Sequence, residues 1–502
     1  MSWEFSMARS ALLHALFERL AKPASDRDLS FALLQSDGTA IHVRASSPAD
    51  LASLPQAASI CNQYLRLKEG DLAIVNDPAS GGTSLASITL VTALALEPGF
   101  DMLLALRFRL SESWGEKGLL SEEGVRIPPT PLASKREINR DLLNAIASHP
   151  ATPVGFAPAV EKYSGLLLEI TQRLKTIARD PKTQLSSTSI KSYLNDSRKL
   201  IATLLHRLPL GTMNVVRRIP AAKETLKLHL EVTDDKVSFD FKGTDTSERH
   251  AITDLTALGA CVWTVLALLD ENVPVNAAVF EHFQISAPSN TLLNWKGAIG
   301  TERGLQTIVP AVCETVVKAF AKLNPLLDVA SSAGTSALAQ MEFGGVKKLT
   351  LHIAPGAGAT ATGEGSDALP VWGAGPGPMS PGILEAAAPI ELTALGTHTG
   401  SGGKGKKLGG DGALVSFRLR EAGRLSWLLG ASSVKHEGHS GGRSGSAASI
   451  EIVRAGSTDA EKVDSAEGRL ELAIGDEVRL YGAGGGAFGS KDDPKEETSA
   501  KS

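Results

Sequence analysis

The period of the apolar positions changes several times along this chain, and each change marks an element. Over residues 7–20 they fall at helical spacing (Leu12, Leu13, Leu16, Phe17, Leu20), and Pro23 then stops the helix. Phe31-Ala32-Leu33-Leu34 and Ile41-His42-Val43 flank a Ser36-Asp37-Gly38 turn, which predicts a hairpin. Further helices are predicted over 51–67, 142–146, 160–178 and 190–208. The period then drops to two. Residues 226–232 and 237–241 alternate around Asp234-Asp235, as the two strands of a half-exposed sheet do. A long, mainly apolar stretch over 252–269 predicts a buried helix, and 309–323 a second, preceded by a glycine-containing turn over 300–308.

One stretch organises the first half. The apolar run 72–75 enters a turn, Asn76-Asp77-Pro78, followed by Gly81-Gly82, and a second apolar run, 88–96, leaves it. That pattern is strand, tight loop, strand, with the loop's polar groups gathered at one end of a sheet. A rigid sheet holding a variable loop is a common setting for functional groups.

At 502 residues the chain exceeds a single core, so several domains are expected. The expected division is 1–208, an α/β domain carrying the Asn76-Asp77-Pro78 loop; 209–355, an α+β domain; 356–490, a glycine-rich part; and 491–502, a disordered tail. The fold class is mixed α/β (α+β), multi-domain, with a β-dominated C-terminal part. Glycines number 49 and cluster after residue 355, where they permit sharp bends between strands. A formal net charge of −4 argues against a general nucleic-acid or anionic-membrane binder. The most apolar of the uncharged runs, Leu255 to Leu269, falls short of the ~20 residues of a spanning helix, so no membrane is expected and the location is read as cytoplasmic. Cys61, Cys261 and Cys313 lie far apart among apolar neighbours and are read as buried thiols.

Polar groups that could carry chemistry come in short clusters. Glu122-Glu123-Gly124-Val125-Arg126-Ile127-Pro128-Pro129 cannot be helix interior and offers two carboxylates and a guanidinium. Val273-Pro274-Val275-Asn276 follows the buried helix, and Ser401-Gly402-Gly403-Lys404-Gly405 opens a late glycine-rich segment. His436-Glu437-Gly438-His439 is a close histidine pair without a helix or further ligands, so a metal there is not favoured.

Together these pieces resemble, in order and over about residues 7–490, the hydantoinase B/oxoprolinase family, which includes the corresponding subunits of acetone and acetophenone carboxylases. The family motif Asn-Asp-Pro-Tyr-x-Gly-Gly-Thr-His-Leu-Pro-Asp-Ile matches Asn76-Asp77-Pro78 through Ile88, with Ser84 where the family has His and Ser87 where it has Asp. The resemblance implies a divalent metal on those two ligands and on a His about one strand later, where this chain has Arg107-Phe108-Arg109-Leu110. Serine hydroxyls stay protonated at neutral pH and are poor ligands, so no metal is expected here and no cofactor is expected on this chain.

The resemblance further implies a hetero-oligomer with a hydantoinase A-type, ATP-using subunit that carries ATP and Mg, acting on a cyclic amide or a ketone. Asp77, Glu123, Arg126 and Asn276 are then the polar groups expected nearest the substrate. The alternative is a non-catalytic structural paralogue that packs against a partner and shapes the complex.

Overall fold

The computed structural model describes all residues except 1, 22–28, 98–99, 111–117, 154, 180–184, 220–222, 270–272, 296, 346, 373–380 and 491–502. The tail expected to be disordered lies outside the described residues. The chain divides into two compact units, one of residues 1–216 and 224–316, the other of 217–223 and 317–502.

The first unit is built on a seven-stranded antiparallel sheet. Its strands are β1 (Ser30–Gln35), β2 (Ala40–Arg44), β3 (Leu72–Val75), β4 (Ser87–Glu97), β5 (Phe100–Arg109), β6 (Thr130–Ser134) and β7 (Glu137–Ile138), in the order β2-β1-β5-β4-β3-β6-β7. Both faces are covered. On one face Phe31, Leu33, Ile74, Leu90, Leu104 and Phe108 join a core with Leu13, Phe17 and Leu20 of α1 (Ser2–Ala21), and also with α3 (Arg140–Ala147), α4 (Phe156–Arg179) and α5 (Ser187–Leu205). Each large apolar side chain fully buried there contributes roughly 1.5–3 kcal/mol. The other face carries α2 (Asp50–Leu65), which buries Leu51, Leu54, Ala57, Ala58 and Cys61 despite an internal Pro55. Behind α2 lies α6 (Asp254–Leu269), and a Cβ at Gly259 would overlap the Pro48 carbonyl, so the two can approach only through glycine.

A four-stranded sheet follows, of β8 (Gly211–Arg218), β9 (Thr225–Val232), β10 (Val237–Asp240) and β11 (Phe283–Ser286), in the order β11-β10-β9-β8. The alternation read in the sequence holds in β9, where every second residue is buried. Between β10 and β11 the chain forms α6 and the short α7 (Ala277–Phe280).

The helix that runs across the 316/317 border departs from the sequence reading. The segment 300–308 is a turn only to Thr301, and α8 (Glu302–Leu323) already runs from Glu302. Thr301 directly before Glu302 is a local start signal, but the apolar period alone points to a later start. The first amides of α8 are satisfied by Glu123, about 180 residues earlier, and a cap of that range leaves no trace in a short sequence window.

In the second unit, two sheets close over one apolar core of Met341, Phe343, Phe417, Leu425, Trp427, Ile450 and Leu480. One has β12 (Ala337–Phe343), β13 (Lys347–Ile353), β16 (Gly423–Leu428) and β19 (Glu467–Leu472). The other has β14 (Ile390–His398), β15 (Gly412–Leu419), β17 (Ser449–Val453), β18 (Ala460–Val463) and β20 (Glu477–Tyr481), with α9 (Pro381–Ala387) leading into β14. The glycine-rich loops pack directly on one another. A Cβ at Gly485 would overlap the Ala357 carbonyl, and one at Gly356 the Gly410 carbonyl.

All three cysteines are free and buried, and burial pushes the Cys61 and Cys313 thiols up to about 12. Among the described residues no helix is long and apolar enough to cross a membrane.

Candidate functional site

β3 ends, β4 begins and β5 ends at one end of the first sheet, with Val75 opposite Thr89 and Ser87 opposite Arg109. The loop between β3 and β4 is held there by Asn76, which is 1 % exposed. Its Nδ2 donates to the carbonyls of Leu85 and Val125, both at 2.9 Å, and its Oδ1 accepts from the Ile127 amide at 2.6 Å. A primary amide has the donors and the acceptor for all three, so one side chain staples the loop to the segment carrying Arg126.

Asp77 starts the turn at Pro78–Ser80. Its Oδ1 accepts from the Ala79 amide at 2.9 Å and pairs with Arg126 Nε at 2.8 Å. The Arg126 guanidinium lies 5.9 Å from the centre of the Trp295 ring, within cation–π range, and stays half exposed. Leu85, Leu120, Ala251 and Trp295 form the apolar floor below.

Glu123 is buried on the first turn of α8. Its Oε2 accepts from the Thr301 amide at 3.1 Å and its Oε1 from the Glu302 amide at 2.8 Å. A Cβ at Gly300 would overlap this carboxylate, which accounts for the glycine. Burial, and then the neighbouring Glu302 carboxylate, push Glu123 up to about 8, against the pull of the two amides. Glu302 is buried as well and forms an ion pair with Arg109, which is 28 % exposed.

The positions where the resemblance implies metal ligands come together here. Ser84 Oγ and Ser87 Oγ lie 3.3 Å apart, both buried, and Ser87 faces Arg109 across the strand pair.

Asn276 stands apart from the other three candidates. It is wholly buried, caps α7 through the Ala278 amide and donates to Ser197 on α5 at 2.9 Å. Its neighbour Val275 bonds Val43 on β2, four strand positions from β3, or roughly 19 Å across the sheet. Asp77, Arg126 and Glu123 therefore gather at the loop end, and Asn276 belongs to a helix junction at the far edge.

Sequence reasoning gave no role to Arg107 or Glu302. Arg107, 2 % exposed, donates to Asp50 Oδ1, Ser53 Oγ, Thr89 Oγ1 and the Gly81 carbonyl, each at 2.7–2.8 Å. It thereby ties α2 to the glycine turn. The available signal was Arg107-Phe108-Arg109 within an apolar strand, since period two places both guanidinia on one face.

A cavity of about 240 Å³ lies near the opposite end of β3, lined by Leu72, Thr92, Leu167, Leu168 and Lys175, and shares no residue with the loop cluster. In the second unit His439 pairs with Asp328 at 2.8 Å. No group of three metal-ligating side chains among the described residues includes His436 or His439.

Comparison with known proteins places this geometry. Residues 24–491 match the Hydantoinase B/oxoprolinase family. An uncharacterized protein of Methanocaldococcus jannaschii is 24 % identical, covering 92 % of this chain and 84 % of its own. 5-oxoprolinase PfmaA of Pestalotiopsis fici is 22 % identical over 96 % of this chain, and 5-oxoprolinase 1 of Arabidopsis thaliana 20 % identical over 92 %. This chain spans only about two-fifths of those oxoprolinases, 40 % and 39 %.

Among solved structures, ATP-dependent caprolactamase from Pseudomonas jessenii superposes with a TM-score of 0.84 at 15 % identity, over 97 % of this chain and 91 % of the other. Nucleotide-free acetone carboxylase superposes with 0.79 at 12 % identity, over 95 % and 76 %. The mixed, multi-domain α/β architecture is thus shared with both, and the family match over nearly the whole length is decisive: the chain belongs to the hydantoinase B/oxoprolinase family.

Proposed function

We propose that this chain is the B-type subunit of an ATP-dependent complex that hydrolyses a cyclic amide or carboxylates a ketone, and that its site works through guanidinium groups and not through a metal. The observation that carries the reading is Arg109, half-buried at the loop end of the sheet and paired with Glu302 on the turn of α8 that Glu123 caps. A divalent cation does not fit the positions the resemblance implies. Two hydroxyls are weak ligands, and Arg109 brings a permanent positive charge to the third.

A guanidinium can do part of a cation's work, holding a phosphate, carboxylate or developing oxyanion by paired hydrogen bonds. Arg126, aimed by Asp77 and Trp295, is the second such group. The ATP-using partner implied by the resemblance would supply a phosphorylated amide or enol phosphate, and both are anions of the kind these arginines bind. Asp77 and Glu123 act here as positioning residues.

The non-catalytic alternative also has an observation in its favour. The side-chain groups of Asn76, Asp77 and Glu123 are spent on bonds within the chain.

The two are separated by purifying the chain with its ATP-using partner and measuring ATP hydrolysis with hydantoin, oxoproline, lactams and aromatic ketones. Substrate-stimulated turnover that Arg109→Ala lowers at least about 100-fold, in a complex that still assembles, supports catalysis. Assembly without turnover on any of these substrates supports the scaffold. Replacing Ser84→His, Ser87→Asp and Arg109→His together tests the register, because a correctly aligned triple variant gains a bound metal.

A further inference from the structure

A second group of chemistry-bearing side chains lies in the first unit, between α1 and the edge strand β2, and the loop cluster makes no use of it. His14 and Glu18 stand four apart on α1, so both rise from one helix face. His42 meets them from β2. One ligating atom from each lies within 4.8 Å of the other two, and His42 Nε2 is 3.4 Å from the Glu18 carboxylate.

The hydrogen-bond pattern around these rings is unusual for a protein interior. His42 is 1 % exposed, yet neither of its ring nitrogens has a hydrogen-bond partner, and Nε2 of His14 is buried without one too. Buried imidazoles ordinarily satisfy their nitrogens. A separation of 3.4 Å is long for an N–H···O bond, but it is the edge of a tetrahedron of ligands at about 2.0–2.1 Å from a zinc-sized ion, roughly 3.4 Å.

The remaining nitrogen of His14 strengthens the case. Nδ1 faces the Tyr193 hydroxyl at 3.4 Å, a long contact. A metal-binding histidine is characteristically oriented through its second nitrogen, and the Tyr193 hydroxyl is the group placed to do so for His14 once an ion draws the ring in. Two imidazoles and a carboxylate form a donor set suited to zinc and its neighbours, and the half-exposed Glu18 gives an ion a route in from solvent. The positive charge of Arg44 acts on His42 and opposes a cation there, and the Glu18 carboxylate, 3.4 Å from His42 Nε2, brings the opposite charge.

We propose that His14, Glu18 and His42 bind one zinc-class divalent ion, completed by a solvent ligand, which clamps α1 to the edge of the seven-stranded sheet.

The test uses the full chain stripped with a chelator and titrated with CoCl2 and then ZnCl2. One Co²⁺ per chain is expected, with the intense visible bands of a tetrahedral site, bleached by Zn²⁺ and accompanied by a rise in Tm. Glu18→Gln replaces a half-exposed group with a near-isostere and leaves the fold intact by circular dichroism; it and His42→Gln should each weaken binding at least about 100-fold. The Ser84→Ala/Ser87→Ala variant should bind as the parent does. No uptake at tens of micromolar metal, unchanged affinity in Glu18→Gln, or loss of the ion in the double serine variant would each overturn the proposal.

Discussion

The amide of Glu302 donates to the carboxylate of Glu123 at 2.8 Å, so two buried acids meet on the first turn of one helix. They respond to the same surroundings differently. Glu302 forms an ion pair with the Arg109 guanidinium, whereas Glu123 has only amides and a hydroxyl from Thr301 and the helix start. Burial and the Glu302 charge therefore act on Glu123, which is pushed up to about 8.

A pH dependence follows from that shift. Below the ordinary value of 4.5 the group is protonated both folded and unfolded and adds no slope. Between about 4.5 and about 8 the unfolded chain releases the proton while the folded chain keeps it, so stability falls by up to ~1.4 kcal/mol per pH unit. Above about 8 both forms are ionised and the loss levels off. Glu123→Gln removes this contribution. In urea titrations at pH 5, 7 and 9 the variant should gain on the parent at each step, and parallel profiles would contradict the assignment.

Arg107 is a second point where one substitution has a large effect. It satisfies Asp50, Ser53, Thr89 and the Gly81 carbonyl at once, and Arg107→Met leaves the Asp50 carboxylate without its guanidinium. Removing one partner of a buried pair costs about 3–5 kcal/mol. Arg107→Met with Asp50→Leu removes both charges and should recover a substantial part of the loss. Denaturant midpoints of parent, single and double variants form the cycle that measures it.

The legible and illegible parts of this molecule divide by the range of the interactions. Period-3.6 and period-2 patterns located α1, α2, α4, α5 and β9 because those patterns record which face is buried. The Asn76-Asp77-Pro78 turn was legible through its proline and paired glycines. The start of α8 carried a weak local sign in Thr301-Glu302, but the carboxylate that takes its first amides comes from Glu123 and was not legible. Likewise Arg107 had no visible role until α2 and the glycine turn were brought against it, and Asn276, grouped with the loop residues by motif, lies at the other edge of the sheet. His14 and Glu18 carried a weak signal in their spacing, and His42 a residue type rare inside an apolar strand, but only the packing of α1 on β2 joins them.

Asn76 allows a sharper test of whether the loop is held as a unit. Asn76→Ala deletes three hydrogen bonds and leaves the Ile127 amide and the Leu85 and Val125 carbonyls in need of other partners. At about 1 kcal/mol net per bond and more for each buried group left unsatisfied, a loss of roughly 3 kcal/mol is expected. Asn76→Asp keeps the acceptor but sets a carboxylate against two carbonyls, so it should do no better than alanine. Equilibrium unfolding distinguishes these outcomes, and a near-wild-type Asn76→Asp would show that the carbonyl contacts contribute little.

The two glycines after the turn should fail for different reasons. Gly81 has φ +86°, and a Cβ there would sit 2.6 Å from the Ala57 amide nitrogen on α2, so Gly81→Ala combines backbone strain with a clash against a rigid helix. Gly82 needs no left-handed backbone, but its Cβ would overlap the Asn76 carbonyl, which lies in the loop itself. The first variant pushes on the sheet–helix layer and displaces the Gly81 carbonyl from Arg107; the second distorts only the turn that presents Asp77. Gly81→Ala should therefore lower global stability by about 2–4 kcal/mol. Gly82→Ala should cost less in unfolding yet expose the amides of 77–87 to hydrogen exchange. Equal unfolding losses with no local exchange signature in Gly82→Ala would mean that the loop and the α2 layer yield together.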